Sequence, residues 1–142
     1  MARNQTYIDA PPERVFDVLA DPNSYGHWVV GSNAIHDADA AWPAVGTAFR
    51  HTVATGPFKT SDLTTVERVS PRRLTLHASA NPYGAARVTI ELQPVKGGTR
   101  VTLIEDPAEL RARLFFTPLG HLLVRLRNAE SLRRLRRLAE TA

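Results

Sequence analysis

Apolar residues in the last part of the chain recur at steps of three and four positions. This spacing places them on one stripe of an α-helix, and it predicts a helix from Pro118 to Ala139. The stripe consists of Leu119, Leu122, Leu123, Leu126, Ala129, Leu132, Leu135 and Leu138. A helix of this length spans about 30 Å. It needs a broad apolar surface to lie on, and we expect the rest of the chain to form a curved sheet that provides one.

The first thirty residues predict one strand and two short helices. Arg3 to Asp9 has the composition of a short strand. Ala10-Pro11-Pro12-Glu13 predicts the start of a helix, because the missing N–H of proline would be unpaired in the first turn in any case. Asp21-Pro22 ends this helix, since the residue before proline disfavours helical geometry. Asn23 to Val30 predicts a second short helix or turn, which carries Tyr25, His27 and Trp28.

The middle of the chain reads as strands that are separated by Gly and Pro turns. The predicted strands are Ala34 to Ala38, Thr47 to Thr55, Phe58 to Val69, Arg73 to Ala80, Ala85 to Pro94 and Thr99 to Asp106. In the third of these, Leu63 and Val66 fall on opposite faces, which predicts a bulge near Thr64-Thr65. Strands and helices are segregated along the chain, and this indicates an α+β fold with an antiparallel sheet.

Folding the predicted hairpins about their turns brings apolar residues to one face. About the turn at residues 81–83, the facing pairs are Ala78 and Ala86, Leu76 and Val88, Leu74 and Ile90. About Gly97-Gly98, they are Leu103 and Leu92, Glu105 and Ile90. A sheet with one buried side requires this arrangement. A gap between such a sheet and the final helix would hold a ligand.

Composition limits the class of protein. A chain of 142 residues is the size of a single domain. It has no cysteine, which excludes disulfides and thiol catalysis and fits a reducing compartment. The first residues are polar, and no apolar run approaches the roughly 20 residues of a membrane span. We therefore expect a cytoplasmic protein without a membrane span.

The basic charge of the chain is concentrated at its end. The whole chain has a net charge of +4. Residues 111–142 hold eight arginines against Glu130 and Glu140, whereas residues 1–110 hold more acidic than basic side chains. A basic helix is typical of binding to nucleic acid or an anionic membrane, but arginine stems also cover the apolar rim of a solvated face. No nucleic-acid-binding motif accompanies these arginines, so we do not expect nucleic acid as a partner.

Several segments carry a family resemblance. Ile8 to Pro22, with the letters IDAPPERVFDVLADP, followed by Tyr25 and Trp28, resembles the opening of the START-like superfamily. This group is also called Bet v 1-like, SRPBCC or polyketide cyclase/dehydrase. Ser70 to Leu74 and Gly98 to Leu103 resemble its usual strand junctions. The resemblance covers nearly the whole chain.

The resemblance implies a single START-like domain over residues 1–142 with a helix-grip fold. In this fold, a curved antiparallel sheet of about six to seven strands wraps around a long C-terminal helix, and two short helices follow the first strand. Members of the group bind lipids, hormones, quinones or polyketides, and only some are enzymes. A fold does not determine an activity, and the resemblance transfers no catalytic residue.

His51 and Asp62 are the candidate catalytic pair. Folding the strands about Gly56-Pro57 places them opposite each other, on the face that Phe49 shares. Opposed side chains lie about 4.5–5.5 Å apart at Cβ, so that imidazole and carboxylate can touch. The carboxylate would raise the histidine pKa and fix its tautomer. The pair would then act as a general base, as a polar anchor for a ligand, or as a structural ion pair.

Other inward-facing residues complete the candidate site. Glu105 shares a face with Leu103 and would pair with an arginine of the final helix or with His51, or lie solvated at a cavity mouth. Trp28 would belong to the core or to the ligand platform, and His121 of the final helix would face the cavity. The predicted ligand contacts are Trp28, Phe49, His51, Asp62, Leu76, Val88, Ile90, Leu103, Glu105 and His121.

Three functions remain open. The first is binding of a small hydrophobic or aromatic ligand, lipid-, quinone- or polyketide-like, in an internal cavity. The second is a polyketide cyclase or dehydratase that uses His51 and Asp62, and the third is a partner-binding module that acts through the arginine-rich helix. A homodimer is compatible with each. The five histidines form no metal-binding motif, and the sequence has no phosphate-cradling glycine loop, so we expect neither a metal nor a cofactor.

Overall fold

We describe the fold from a computed structural model, which places residues 1–55, 58–79, 84–108 and 117–141. The helices are α1 (Pro12–Leu19), a 3₁₀ turn (Pro22–Ser24), α2 (Tyr25–Trp28) and α3 (Pro118–Thr141). The strands are β1 (Ala2–Ile8), β2 (Ser32–His36), β3 (Ala48–Thr55), β4 (Phe58–Ser70), β5 (Arg73–Ser79), β6 (Ala85–Val95) and β7 (Gly98–Pro107). The predicted last residue of β5, Ala80, lies outside the described residues.

The strands form one antiparallel sheet. Its order is β1-β7-β6-β5-β4-β3-β2, so that β1 and β2 are the two edges. Helix α3 contacts β1 at one edge and α2, which adjoins β2, at the other. It therefore closes the open side of the curved sheet. The predicted α+β class, the helix-grip arrangement and the two short helices after the first strand are confirmed.

Most of the predicted registers are confirmed, and two details differ. Leu76 faces Val88 and Leu74 faces Ile90, as expected. Leu103, however, faces Ile90 instead of Leu92, and Glu105 faces Val88 instead of Ile90. The reason is the turn: Val95 pairs with Gly98, so the loop is Lys96-Gly97, and Gly97 takes a left-handed φ of 88° that glycine allows. A shift by two residues preserves the faces.

The predicted bulge in β4 lies further along the strand. The irregularity falls between Val66 and Arg68, not at Thr64-Thr65. Before it, Asp62, Thr64 and Val66 alternate as buried residues, while Leu63 faces outward and is half-buried. The strand therefore keeps its polar Asp62 inside without a change of face.

Aromatic rings pack where α2 meets the sheet. Tyr25 and Phe49 have ring centroids 5.0 Å apart, and Trp42 and Phe49 lie 4.8 Å apart. The Tyr25 hydroxyl and the Trp42 indole N–H both donate to the Leu19 carbonyl oxygen, at 2.8 and 3.1 Å. The polar groups of two large rings are thereby satisfied inside the core. This cluster fixes α1 and α2 against β3.

The prediction that all apolar residues of α3 lie on one stripe is wrong. From Leu126 onward the apolar positions advance in steps of three, and each step falls about 60° short of a full turn. Leu126 and Leu135 are nine residues, or about two and a half turns, apart, and so lie on opposite sides of the helix. Leu135 is fully buried, whereas 59% of Leu126 is exposed.

The two faces of α3 differ in kind. Its inner face carries Asn128, Ser131, Leu132, Leu135 and Ala139, all buried. The outer face of its first half carries the outer leucine patch, which we define as Leu119, Leu122, Leu123 and Leu126. Each of these four side chains is more than half exposed.

Candidate ligand cavity

A cavity of about 170 Å³ lies between the concave face of the sheet and α3. Strands β3 to β7 provide most of its wall, because every second side chain of each strand points to this face. The apolar part of the wall comprises Tyr25, Trp28, Val29, Val30, Phe49, Leu76, Ala78, Ala86, Val88, Ile90 and Leu103. The polar part comprises Ser32, His51, Asp62, Thr64, Ser79, Glu105, Arg127, Asn128 and Ser131.

The structure brings together nine of the ten side chains that the sequence predicted as ligand contacts. These are Trp28, Phe49, His51, Asp62, Leu76, Val88, Ile90, Leu103 and Glu105. His121 is the exception and does not line the cavity. It shares a face with Asn128 but lies two turns, or about 10 Å, before it along the helix. The cavity faces α3 from Arg127 to Ser131, and the first turn of the helix extends past it.

His51 and Asp62 are opposite residues of β3 and β4, as predicted. Asp62 is 2% exposed. The hydrogen-bond partner of the imidazole is a residue that sequence reasoning missed: Ser32 Oγ lies 3.0 Å from His51 Nδ1. Ser32 begins β2 and faces the cavity because of the irregular register between Ser32 and Ala34. The serine orients the ring through this hydrogen bond, and the Asp62 carboxylate acts on the ring electrostatically.

Burial lowers the pKa of His51 below its ordinary value. The carboxylate of Asp62 acts in the opposite direction and offsets only part of this effect, and His36 adds to the lowering. The carboxylate therefore raises this pKa as expected, but the net shift is downward because desolvation disfavours the charged ring more strongly. The lowered pKa favours the neutral form of the His51 imidazole. The ring can accept a proton through one nitrogen while the other contacts Ser32.

Glu105 forms an ion pair with α3, as the sequence allowed. Arg127 Nη2 donates to Glu105 Oε1 at 2.6 Å, and Asn128 Nδ2 donates to the same oxygen at 3.3 Å. The Glu105 side chain is 9% exposed and that of Arg127 44%. The pair joins β7 to the helix, and it places a neutralised carboxylate in the cavity wall.

Comparison with known families decides the identity. A family profile described as polyketide cyclase/dehydrase and lipid transport matches residues 2–140. The chain belongs to this family. Membership agrees with the SRPBCC resemblance of its opening segment. A search of curated proteins finds no match.

Solved structures show the same SRPBCC fold. Protein TTHA0849 from Thermus thermophilus is 20% identical, with a TM-score of 0.73 over 97% of this chain and 95% of that one. Ara h 8.0201 is 11% identical, with a TM-score of 0.73 over 99% of this chain and 97% of that one. DynU16, from the dynemicin biosynthetic locus, is 20% identical, with a TM-score of 0.71 over 99% of this chain and 47% of that one. At these identities the likeness concerns the fold.

The polar residues that α3 contributes to this SRPBCC cavity were not predicted. Asn128 and Ser131 are buried, and the Ser131 hydroxyl oxygen accepts a hydrogen bond from the Val30 N–H at 3.1 Å. A signal for them exists in the sequence. The spacing i, i+3, i+4, i+7 of a single helix face is found in Asn128, Ser131, Leu132 and Leu135. This face can be recognised only when the two polar residues are counted together with the two leucines.

Two buried nitrogens of the cavity wall have no hydrogen-bond partner among the described residues: Trp28 Nε1 and His51 Nε2. The first is a donor only, and the second takes either role according to its tautomer. Buried polar atoms without partners are rare in folded proteins. At the end of the cavity between α2 and β3, these two nitrogens are therefore available to hydrogen-bond with a polar group of a ligand.

Two absences concern the described part of the chain alone. Its histidines and carboxylates form no cluster of three that would hold a metal ion. None of its helices combines the length and apolar character needed to cross a membrane.

Proposed function

We propose that this protein binds a small hydrophobic or aromatic molecule in the cavity between the sheet and α3. The observation that carries the proposal is the wall itself, which is mainly apolar and has a few convergent polar groups. Such lining is typical of small-molecule sites. Membership of a family described as polyketide cyclase/dehydrase and lipid transport supports the same function.

The volume of the cavity indicates the size of the ligand. An engineered apolar cavity of about 150 Å³ holds benzene, and the cavity here measures about 170 Å³. A ligand of one or two fused rings, such as a quinone or a small polyketide-derived aromatic, fits this volume better than a long acyl chain. Its polar substituent would meet the unpartnered nitrogens of Trp28 and His51.

Binding should raise the melting temperature of the protein. We expect naphthols, small quinones or related bicyclic aromatics to raise it by several degrees at a concentration of 100 times Kd, because a ligand that binds only the folded state stabilises it by about 2.7 kcal/mol there. A thermal-shift titration measures this. Ala86→Leu places a larger side chain against the cavity and should abolish the shift.

The control is Ala129→Leu, the same change at an exposed position of α3. This variant should keep the full shift. If no aromatic compound stabilises the wild-type protein, or if Ala86→Leu keeps the response, the proposed cavity is not the binding site.

A second candidate function is a cyclase or dehydratase, and the environment of His51 favours it. The ring has a lowered pKa, is hydrogen-bonded to Ser32, lies opposite Asp62 and presents an unpartnered Nε2. In this mechanism Nε2 removes a proton from a carbon between two carbonyls of a poly-β-ketone. The resulting enolate attacks a carbonyl further along the chain, the proton returns to the new alkoxide, one water is lost, and enolisation of the remaining ring ketones gives the aromatic ring. No redox step is required.

The enzymatic candidate predicts a pH profile. The pKa of His51 is lowered, so the base form persists to a more acidic pH than that of an ordinary histidine. Turnover should therefore stay constant as the pH falls through about 6.5 and decline only below it. Mass spectrometry of a short poly-β-ketone follows the loss of water.

His51→Ala should remove turnover and keep most of the thermal shift with an unreactive naphthol, because the apolar wall remains and only one polar contact is lost. His27→Ala changes an exposed histidine outside the cavity and should change neither. Unaltered turnover in His51→Ala would exclude this residue as the base while leaving the binding function intact.

A further inference from the structure

The proposed ligand-binding function of the cavity does not use the outer leucine patch. Leu119, Leu122, Leu123 and Leu126 follow the spacing i, i+3, i+4, i+7, and they are 67%, 51%, 57% and 59% exposed. This spacing places them side by side on the helix face that points away from the sheet. Single exposed leucines are ordinary, but a contiguous apolar face marks an interaction surface.

The charge around the patch is of one sign. From residue 118 to residue 129 the sequence contains Arg125 and Arg127 and no acidic residue. Arg125 makes no ion pair with any residue that the structure describes. Most other arginines of α3 are paired: Arg127 with Glu105, Arg133 and Arg134 with Glu130, and Arg136 with Glu140. Arg125 therefore places a positive charge beside the leucines that no described ion pair neutralises.

We propose that the outer leucine patch docks on the surface of an anionic lipid bilayer. The leucines would enter the boundary between headgroups and acyl chains, with α3 parallel to the membrane plane, and Arg125 would contact lipid phosphates. Amphipathic helices with leucines on one face and arginines beside them bind interfaces in this way.

The same charges oppose the alternative occupant, a second copy of this chain. A two-fold dimer brings identical patches face to face. It would place two Arg125 side chains near each other, with no acidic residue of this half-helix to compensate. The charge of Arg125 is complementary to an anionic lipid surface, whereas it repels the same charge in a second copy.

Docking would also position the cavity. Arg127 and Asn128 follow Leu126 directly and line the cavity on the inner side of the same helix. A patch seated in the headgroup region would bring this wall of the cavity to the membrane surface. An apolar ligand would then leave or enter the protein close to lipid.

Vesicle flotation tests the proposal. We expect the wild-type protein to float with phosphatidylcholine vesicles that contain about 30% phosphatidylglycerol, and to bind pure phosphatidylcholine vesicles at least tenfold more weakly. Leu122→Gln/Leu126→Gln should reduce affinity for the anionic vesicles by about tenfold or more. Arg125→Gln should reduce it by about fivefold, and high salt should reproduce this loss.

Arg137→Gln is the matched control, since it removes an exposed arginine from the far end of the same helix; it should bind almost as well as the wild type. Equal binding of the leucine variant, or no flotation with anionic vesicles, would overturn the proposal. Sedimentation that shows a dimer lost in the leucine variant would also overturn it and assign the patch to self-association. The thermal shift by aromatic ligands should persist in both patch variants, which separates this result from the cavity function.

Discussion

Leu135→Ala should lower the free energy of unfolding by about 3 kcal/mol, within the usual range of about 2–5 kcal/mol for a buried leucine. Leu135 is fully buried on the inner face of α3. Truncation removes apolar contacts there and leaves a void that the rigid sheet cannot refill. Urea denaturation, with the slope compared between variants, measures the loss.

Leu126→Ala provides the comparison within the same helix. Leu126 is 59% exposed on the opposite face, and the change should alter stability by less than about 0.5 kcal/mol. Comparable losses for both variants would mean that the helix is rotated about its axis, with the leucines of its first half packed inside. The outer leucine patch and the lipid-docking proposal would then both fail.

Arg127→Met should lower the free energy of unfolding by about 2 kcal/mol. It leaves the carboxylate of Glu105 in the cavity wall without its charged partner, and only the Asn128 amide remains to contact it. A buried charge that loses its partner is costly, but the half-exposed position of Arg127 lets water replace part of the interaction. Urea denaturation measures this loss too.

Two further variants separate charge from packing. Glu105→Gln/Arg127→Met removes both charges, and its loss should be smaller than that of Arg127→Met alone. Arg133→Met breaks the exposed pair with Glu130, at 2.8 Å, and should have no measurable effect, since exposed ion pairs contribute little. A double variant less stable than Arg127→Met would show that the unpaired carboxylate is not the source of the cost.

The sheet and its inward face could be predicted from the sequence because strand periodicity is two. Once a turn is located, the side chains that share a face are those at every second position from it. The β6–β7 pairing illustrates this: the predicted register was wrong by two residues, and Leu103 and Glu105 still point into the cavity. An error of one residue would have reversed every side chain.

The contribution of α3 could not be predicted in the same way. Steps of three and of four both look helical in sequence, but repeated steps of three wind around the cylinder. Leucine identity therefore does not reveal which side of α3 is inside, and the buried Asn128 and Ser131 were overlooked. Ser32 was missed for another reason, since it precedes the predicted start of its strand at Ala34 and acquires its role through the irregular register there.

The way α3 closes the sheet has a kinetic consequence. Ladders of backbone hydrogen bonds join each strand of the sheet to its neighbours. The described hydrogen bonds from α3 to the sheet and to α2 instead involve side chains, such as those of Asn4, Glu105 and Ser131. Moving α3 away from the sheet breaks fewer hydrogen bonds than separating two strands. Ligand uptake through this opening would then be limited by the rate at which α3 lifts from the sheet. The uptake rate would level off with rising ligand concentration.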